Sequence, residues 1–329
     1  MVSACLSQSS FFVLSTVLIL ASILGCRDAG LAMGASMSAG RSPLLRIDMP
    51  NPRYKGNNVE EEDPVELDRK RKILEARQQV MEQVGKSDHA FLAKLFLDWN
   101  ALKGPERKRF CEKHGLSIPG MRDILQLFSQ FQGALSSIGY LDSVEGNKYN
   151  SFYRIVRAVA VAAMSPGQLV KVKRPGRKYQ ETAEGAKEKE GKAQELKFFV
   201  RTSRDSSNEE RVFIHPSSGN FSVGDYTCPW LVFNSLVRTS KPFLRDVTEC
   251  DEYSLLLFGG ELDLQVSKGM VLIDKWCELN TTAKTVALVG GLRNKLDELL
   301  TQKVSNPSLD VAGTQVMQII SRLIRLGGM

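Results

Sequence analysis

Residues 213–261 read FIHPSSGNFSVGDYTCPWLVFNSLVRTSKPFLRDVTECDEYSLLLFGGE. Trp230-Leu231-Val232-Phe233 and Phe243-Leu244-Arg245-Asp246-Val247-Thr248 are rich in β-branched and aromatic residues, and turn formers separate them, which is the composition of strands. The alternation predicts a small antiparallel β unit. Taken singly, its motifs have plain structural readings. His215 before Pro216 ends a strand, and Ser217-Ser218 cap a turn. With only His89, His114 and His215 in the chain, no spacing offers a nucleophile its base and orienting acid. No catalytic residue is expected.

Around this stretch lies a chain of 329 residues, 43% hydrophobic and 25% charged, which excludes wholesale disorder and suffices for about two domains. Forty-four basic against 37 acidic residues leave a net charge of +7, a balance that favours anionic partners such as nucleic acid. Residues 171–197 hold nine Lys or Arg and five Glu, so phosphate contacts are sought there first. The six cysteines, at 5, 26, 111, 228, 250 and 277, form no CxxC pair. No zinc site or other metal is expected from them, and unpaired intracellular thiols fit better than disulfides.

The helical half announces itself by period. From Glu66 onward Leu67, Ile73, Leu74, Val80, Met81 and Val84 recur near 3.6 residues, and from Met121 Ile124, Leu125, Phe128, Phe131, Leu135 and Ile138 do the same. Gly85-Lys86-Ser87 lacks the upstream glycine and strand of a phosphate loop, so Ser87 or Asp88 is read as a helix N-cap. His89 is expected to be buried. The uncharged run 11–25 has the length of a signal-peptide core but no basic residue before it; buried helix is the favoured reading, and a secreted or membrane-tethered protein the alternative.

The ordered set His215-Pro216-Ser217-Ser218, Trp230-Leu231-Val232-Phe233, Arg238-Thr239-Ser240-Lys241 and Leu255-Leu256-Leu257-Phe258-Gly259-Gly260 resembles the C-terminal OB-fold of DEAH/RHA-type (DExH) RNA helicases. Asp88-His89-Ala90-Phe91-Leu92, the apolar residues 17–26 with 32–37 and 41–44, and the Leu-Asp-Glu-Leu-Leu run at 296–300 are similar to the same family's helical ratchet domain and closing helix. The resemblance covers about 17–304. It implies an α+β fold: a ratchet-like helical bundle at 17–165, a basic low-complexity insertion at 171–197, an OB-fold-like barrel at 198–280 and C-terminal helices at 281–329. Residues 1–16 stay unassigned, as expected of a truncated chain or a misplaced start. The insertion, with almost no apolar residue over 175–195, is expected not to order itself.

In that family two RecA-like lobes use ATP and magnesium, while the ratchet and OB domains grip single-stranded RNA. No Gly-x-x-x-x-Gly-Lys-Ser/Thr, Asp-Glu-x-His or arginine-finger motif occurs here, so no cofactor and no ATP turnover are expected of the chain alone. The expected partners are single-stranded or structured RNA, with RecA-like lobes supplied from elsewhere, in cytoplasm or nucleus and without a membrane. Lys171, Lys173, Arg174, Arg238, Thr239, Ser240, Lys241 and Arg245 are the expected RNA contacts, the last five from the segment joining two predicted strands of the OB unit.

Overall fold

The computed structural model describes residues 14–32, 64–137, 151–165, 167–174, 179–182, 185–188, 193–203, 208–306, 309–311 and 313–327. The resemblance motifs at 33–44, the acidic segment 57–63 and the end of the helical pattern at 138–140 fall outside them.

The first half is a bundle of α1 (Leu14–Ala32), α2 (Pro64–Val84), α3 (Asp88–Ala101), α4 (Pro105–His114), α5 (Ile118–Ser137) and α6 (Tyr153–Met164). Val17, Leu18, Ile19, Leu20, Ile23 and Leu24 of α1 are buried, against α5 and α3. A helix apolar on all faces needs such a surround, and Ser22 is accommodated because its Oγ donates to the Leu18 carbonyl at 2.7 Å. Among the described residues no helix is long and apolar enough to cross a membrane. In α2 the stripe Ile73, Val80 and Val84 faces the core as its period predicts, whereas Leu67 is 49% exposed. Arg77 joins the buried face because its guanidinium donates to the His114 and Gly115 carbonyls at the end of α4, at 2.9 and 3.2 Å.

A closed barrel follows, built from β1 (Leu169–Lys173), β4 (Lys197–Arg201), β5 (Glu209–Ile214), β6 (Trp230–Arg238) and β7 (Pro242–Glu249) in the order β1-β4-β5-β7-β6, with β2 (Tyr179–Thr182) and β3 (Gly185–Glu188) paired outside it. Closure leaves no unpaired edge, the usual solution for a small all-β unit. Neighbours run antiparallel except β5 and β7, which pair in parallel at Phe213↔Phe243 and Ile214↔Leu244. Val170, Val172, Phe198, Val200, Val212, Ile214, Leu231, Phe233, Leu244 and Val247 fill the interior with Tyr226, at alternate positions in β1, β4, β5 and β6; in β7 Leu244 and Val247 stand three apart, on either side of a kink at Asp246, whose φ is 54°. The fold is α+β, with an OB-type barrel between a helical bundle and two C-terminal helices.

The expected boundaries shift in two places. The barrel takes its first strand from 169–173, ahead of and inside the segment expected to be insertion, because Val170 and Val172 supply two of its core residues. Its last strand ends at Glu249; β8 (Leu262–Gln265), β9 (Met270–Ile273) and β10 (Cys277–Asn280), expected within the barrel, form a separate sheet in the order β10-β9-β8. Val271, Ile273, Cys277 and Leu279 of that sheet belong to the core of the helical body. The insertion also carries order that its composition did not predict, as β2 and β3 pair antiparallel from Tyr179↔Glu188 to Thr182↔Gly185.

Residues 255–260, inside the stretch read by strand alternation, are instead largely helix: α7 (Glu252–Phe258) starts where the Asp251 carboxylate accepts from the Ser254 N–H. Four successive apolar residues suit a buried helix turn as well as a strand, and the cap decides. Both C-terminal helices, α8 (Ala283–Ser305) and α9 (Gln315–Leu326), pack on α7, and α9 reaches α6. Arg293 of α8 donates to the Gly259 and Gly260 carbonyls at 2.6 and 2.9 Å. The helical period of α8 predicts an apolar stripe of Leu288, Leu292, Leu296 and Leu299; Leu296 is buried, but Leu288 is 63% exposed and Val289 takes its place.

The two halves meet at the N-terminus of α3. Ser87 Oγ accepts from Ala90 N–H as the cap, and both Ser87 Oγ and His89 Nδ1 lie within 2.8 Å of Thr248 Oγ1 in β7. The buried Asp88 carboxylate accepts from Ser218 Oγ (2.5 Å), Gly219 N–H (2.9 Å), Asn220 Nδ2 (3.2 Å) and Val247 N–H (2.8 Å). Asp88, His89 and Ser218 are therefore spent on joining bundle to barrel.

Because β1 and β4 are antiparallel neighbours, a short turn suffices between them. Replacing residues 176–192 by a four-residue glycine-serine turn is expected to shift the thermal midpoint by only a few degrees, since halving a loop changes closure by about 0.6 kcal/mol. A drop of about 10 °C or more in a melt, well beyond that loop-closure effect, would show that the hairpin braces the barrel.

Candidate nucleic-acid interface

Strand alternation that buries the barrel core sends the intervening residues outward. On β1, β4, β5 and β7 these are Lys171 and Lys173, Phe199 and Arg201, Arg211 and Phe213, and Phe243 and Arg245, brought side by side by the registers Lys171↔Phe199, Phe199↔Arg211 and Phe213↔Phe243. Phe199, Phe213 and Phe243 are each only half-buried.

Phe213 and Phe243 stand with ring centroids 6.2 Å apart, and the His215 ring meets Phe243 edge-on at 5.8 Å. Lys241 Nζ lies 5.0 Å and the Arg211 guanidinium 5.2 Å from the Phe213 ring centre. Lys173 Nζ sits 4.4 Å from that of Phe199. Such cation–ring contacts hold long cationic side chains over a ring without removing their charge from solvent.

The expected contact residues divide into groups. Lys241 joins this platform, and Thr239 and Ser240 are exposed at the tip of the β6–β7 hairpin, where Thr239 N–H donates to the Lys241 carbonyl at 3.2 Å. Arg245 stands in β7 opposite Ser235. Arg238 is held by Glu210 in a two-pronged pair at 2.5 and 2.7 Å; these hydrogen bonds hold the Glu210 carboxyl below its ordinary value and raise the Arg238 guanidinium. Lys173 donates to Glu209 at 2.5 Å, and Lys171 lies 3.6 Å from Glu278 and 4.0 Å from Glu209. Burial alone would raise Glu209, yet the bonds from Lys173 and Trp276 hold it low. Arg174 pairs with Asp225 at 3.3 Å.

A search for basic runs passes over Phe199, Arg211, Phe213 and Phe243. Their signal is alternation in Lys197-Phe198-Phe199-Val200-Arg201 and Arg211-Val212-Phe213-Ile214, where every second residue is aromatic or cationic. Among the described residues no group of three or more His, Cys, Asp or Glu could hold a metal ion.

Residues 156–262 match the family model of the oligonucleotide/oligosaccharide-binding (OB)-fold, and residues 269–326 that of the C-terminal domain in RNA helicases. The chain is 29% identical to the DExH-box ATP-dependent RNA helicase DExH1 of Arabidopsis thaliana over 246 residues, 73% of this chain and 22% of that protein. It is 29% identical over 248 residues to the ATP-dependent DNA/RNA helicase DHX36 of Mus musculus, 72% of this chain and 23% of that one. A putative DEAH-box ATP-dependent helicase of Mycosarcoma maydis is 25% identical over 350 residues, 96% of this chain but 20% of its own length. The chain thus spans between a fifth and a quarter of these relatives.

Proposed function

Since the chain carries the OB-fold and C-terminal domain of the DExH/DEAH-box RNA helicases, we propose that it grips single-stranded RNA through the outer face of its barrel and leaves ATP hydrolysis to lobes elsewhere. The observation that supports this reading is the Phe213–Phe243 platform flanked by Lys241, Arg211 and His215. Rings exposed on one face accept successive bases by stacking, whatever their identity, while nearby cations take the phosphates. The chain alone is not expected to turn over ATP, because its sequence holds no Gly-x-x-x-x-Gly-Lys-Ser/Thr motif to cradle a triphosphate.

The ion pairs set a hierarchy among the cations. Arg211 and Lys241 rest on a ring, with no carboxylate of the described residues fixed on either, whereas Arg238, Lys173 and Arg174 must first leave Glu210, Glu209 and Asp225. Removing one phosphate neutralisation from a single-strand complex reduces the slope of log affinity against log salt by about 0.7. Arg211→Ala with Lys241→Ala is therefore expected to flatten the slope by about 1.4, measured by fluorescence anisotropy with an oligouridylate. Arg238→Ala is expected to change it by less than about 0.7, and Lys70→Ala with Lys72→Ala not at all. Equal slopes for all three variants would place the contact surface off the barrel.

A further inference from the structure

Between the last turns of α2 and the turn after β5 lies a cleft of about 400 Å³, lined among others by Gln78, Met81, Glu82, Phe91, Ser217 and Val223. Ligand sites favour such junctions and volumes of this order. Gly219 lets the two walls approach closely, since a Cβ there would fall 2.8 Å from the Met81 sulfur. The cleft adjoins the barrel platform: Ser217 N–H donates to His215 Nδ1 at 3.1 Å, and the His215 ring rests on Phe243. The 215–217 turn thus borders both, with His215 on the platform and Ser217 in the cleft wall.

Its chemistry is that of a base pocket with a chosen edge. Met81, Phe91 and Val223 offer apolar walls to a planar ring. Gln78 and Glu82 are exposed one helical turn apart at the rim, and Gln78 Nε2 donates to Glu82 Oε1 at 3.3 Å. This leaves Glu82 Oε2, the second lone pair of Glu82 Oε1 and the second amide hydrogen of Gln78 to a ligand.

Guanine presents N1–H and N2–H side by side, matching the two oxygens of a carboxylate, with O6 beside them to accept from an amide. Adenine and cytosine put a ring-nitrogen lone pair next to their one amino group, and uracil flanks its N–H with two carbonyls, so each turns an acceptor toward the carboxylate. We propose that the cleft between α2 and the barrel receives a guanine base from the strand held on the barrel face. This rests on the barrel reading above.

The test compares a labelled ten-residue oligouridylate with the same strand carrying one guanosine at successive positions. A well-placed guanosine is expected to tighten binding by about 5- to 150-fold, and inosine, which lacks the N2 amino group, to recover only part of that gain. Glu82→Gln is expected to abolish the gain while leaving oligouridylate affinity unchanged, since Glu82 is exposed and stands on α2, away from the barrel cations. Equal affinity for both strands, or a gain that survives in E82Q, overturns the proposal. So does guanosine monophosphate that binds as tightly as the guanosine-bearing strand, which would make the free nucleotide the ligand. If oligouridylate binds and guanosine makes no difference, only the cleft assignment fails; if neither strand binds, the barrel reading fails with it.

Discussion

Replacing Asp88 by alanine is expected to destabilise the protein by about 3–5 kcal/mol, because removing one partner of a buried charged network leaves the others stranded. Ser218 Oγ, the Gly219 and Val247 amides and the Asn220 side chain all donate to this carboxylate, and alanine offers them no acceptor in the dry junction. Asp88→Asn keeps the shape and one oxygen but turns an NH₂ toward donors, so it is expected to cost about 1–3 kcal/mol.

The pH dependence has a definite sign. Burial, reinforced by Asp246, pushes the Asp88 carboxyl up to about 6 from its ordinary 3.8, against the pull of Ser218, Val247 and Gly219. A value raised in the folded state favours folding below the unfolded value, and that increment is lost as pH rises through about 6. The wild-type protein should therefore lose about 1–3 kcal/mol from this site between about pH 4 and pH 7, a slope absent from Asp88→Asn. Urea melts at about pH 5 and about pH 7.5, on either side of that value, measure the difference between the two proteins. An advantage of wild type over Asp88→Asn that grows with pH would contradict the burial argument.

The second large effect is expected in binding. Each stacked base is worth about 1–3 kcal/mol when its ring is removed, so Phe213→Ala with Phe243→Ala is expected to weaken oligouridylate binding about a hundredfold or more. Both rings are half-buried on the outer face, so the double variant is expected to melt at a lower temperature but still cooperatively, and binding is compared well below that midpoint. The double substitution also removes the rings that steady Lys241 and His215. Unchanged affinity in a folded double variant would remove the platform from consideration.

What could be read from the residues follows the strength of local patterning. Trp230 to Phe233 and Phe243 to Thr248 alternate or run apolar between turn formers, and both are strands. The cap at Ser87 was legible because a hydroxyl before an apolar run has one favourable use, and it accepts from the Ala90 N–H. The first strand of the barrel was legible only at its end, where Lys171-Val172-Lys173-Arg174 reads as a basic strand end; Leu169 and Val170 join it because β6 pairs with them. In α8 the displacement from Leu288 to Val289 reflects a stripe position that tertiary packing sets. At the candidate interface, basic residues were found from charge, but whether a cation is engaged depends on Glu209 and Glu210, whose proximity comes from sheet register.

The junction at α3 joins positions 159–161 apart in the chain, Ser87 and His89 to Thr248. At about 5–20 residues per second of synthesis, roughly 8–30 s separate the emergence of α3 from that of the strand that receives it. Until the 218–220 turn emerges the first turn of α3 carries Asp88 in water with none of its four donors, and until β7 follows it still lacks the Val247 amide; β1 waits a shorter time for β6. Cutting the chain between bundle and barrel, a natural choice when expressing pieces, would make this interval permanent in both fragments. The bundle would keep a solvated acidic helix start, and the barrel would expose the 218–220 turn and the Val247 amide. The two pieces are better regarded as one cooperative unit, to be expressed from at least residue 14 to residue 327, since α1 fills part of the bundle core.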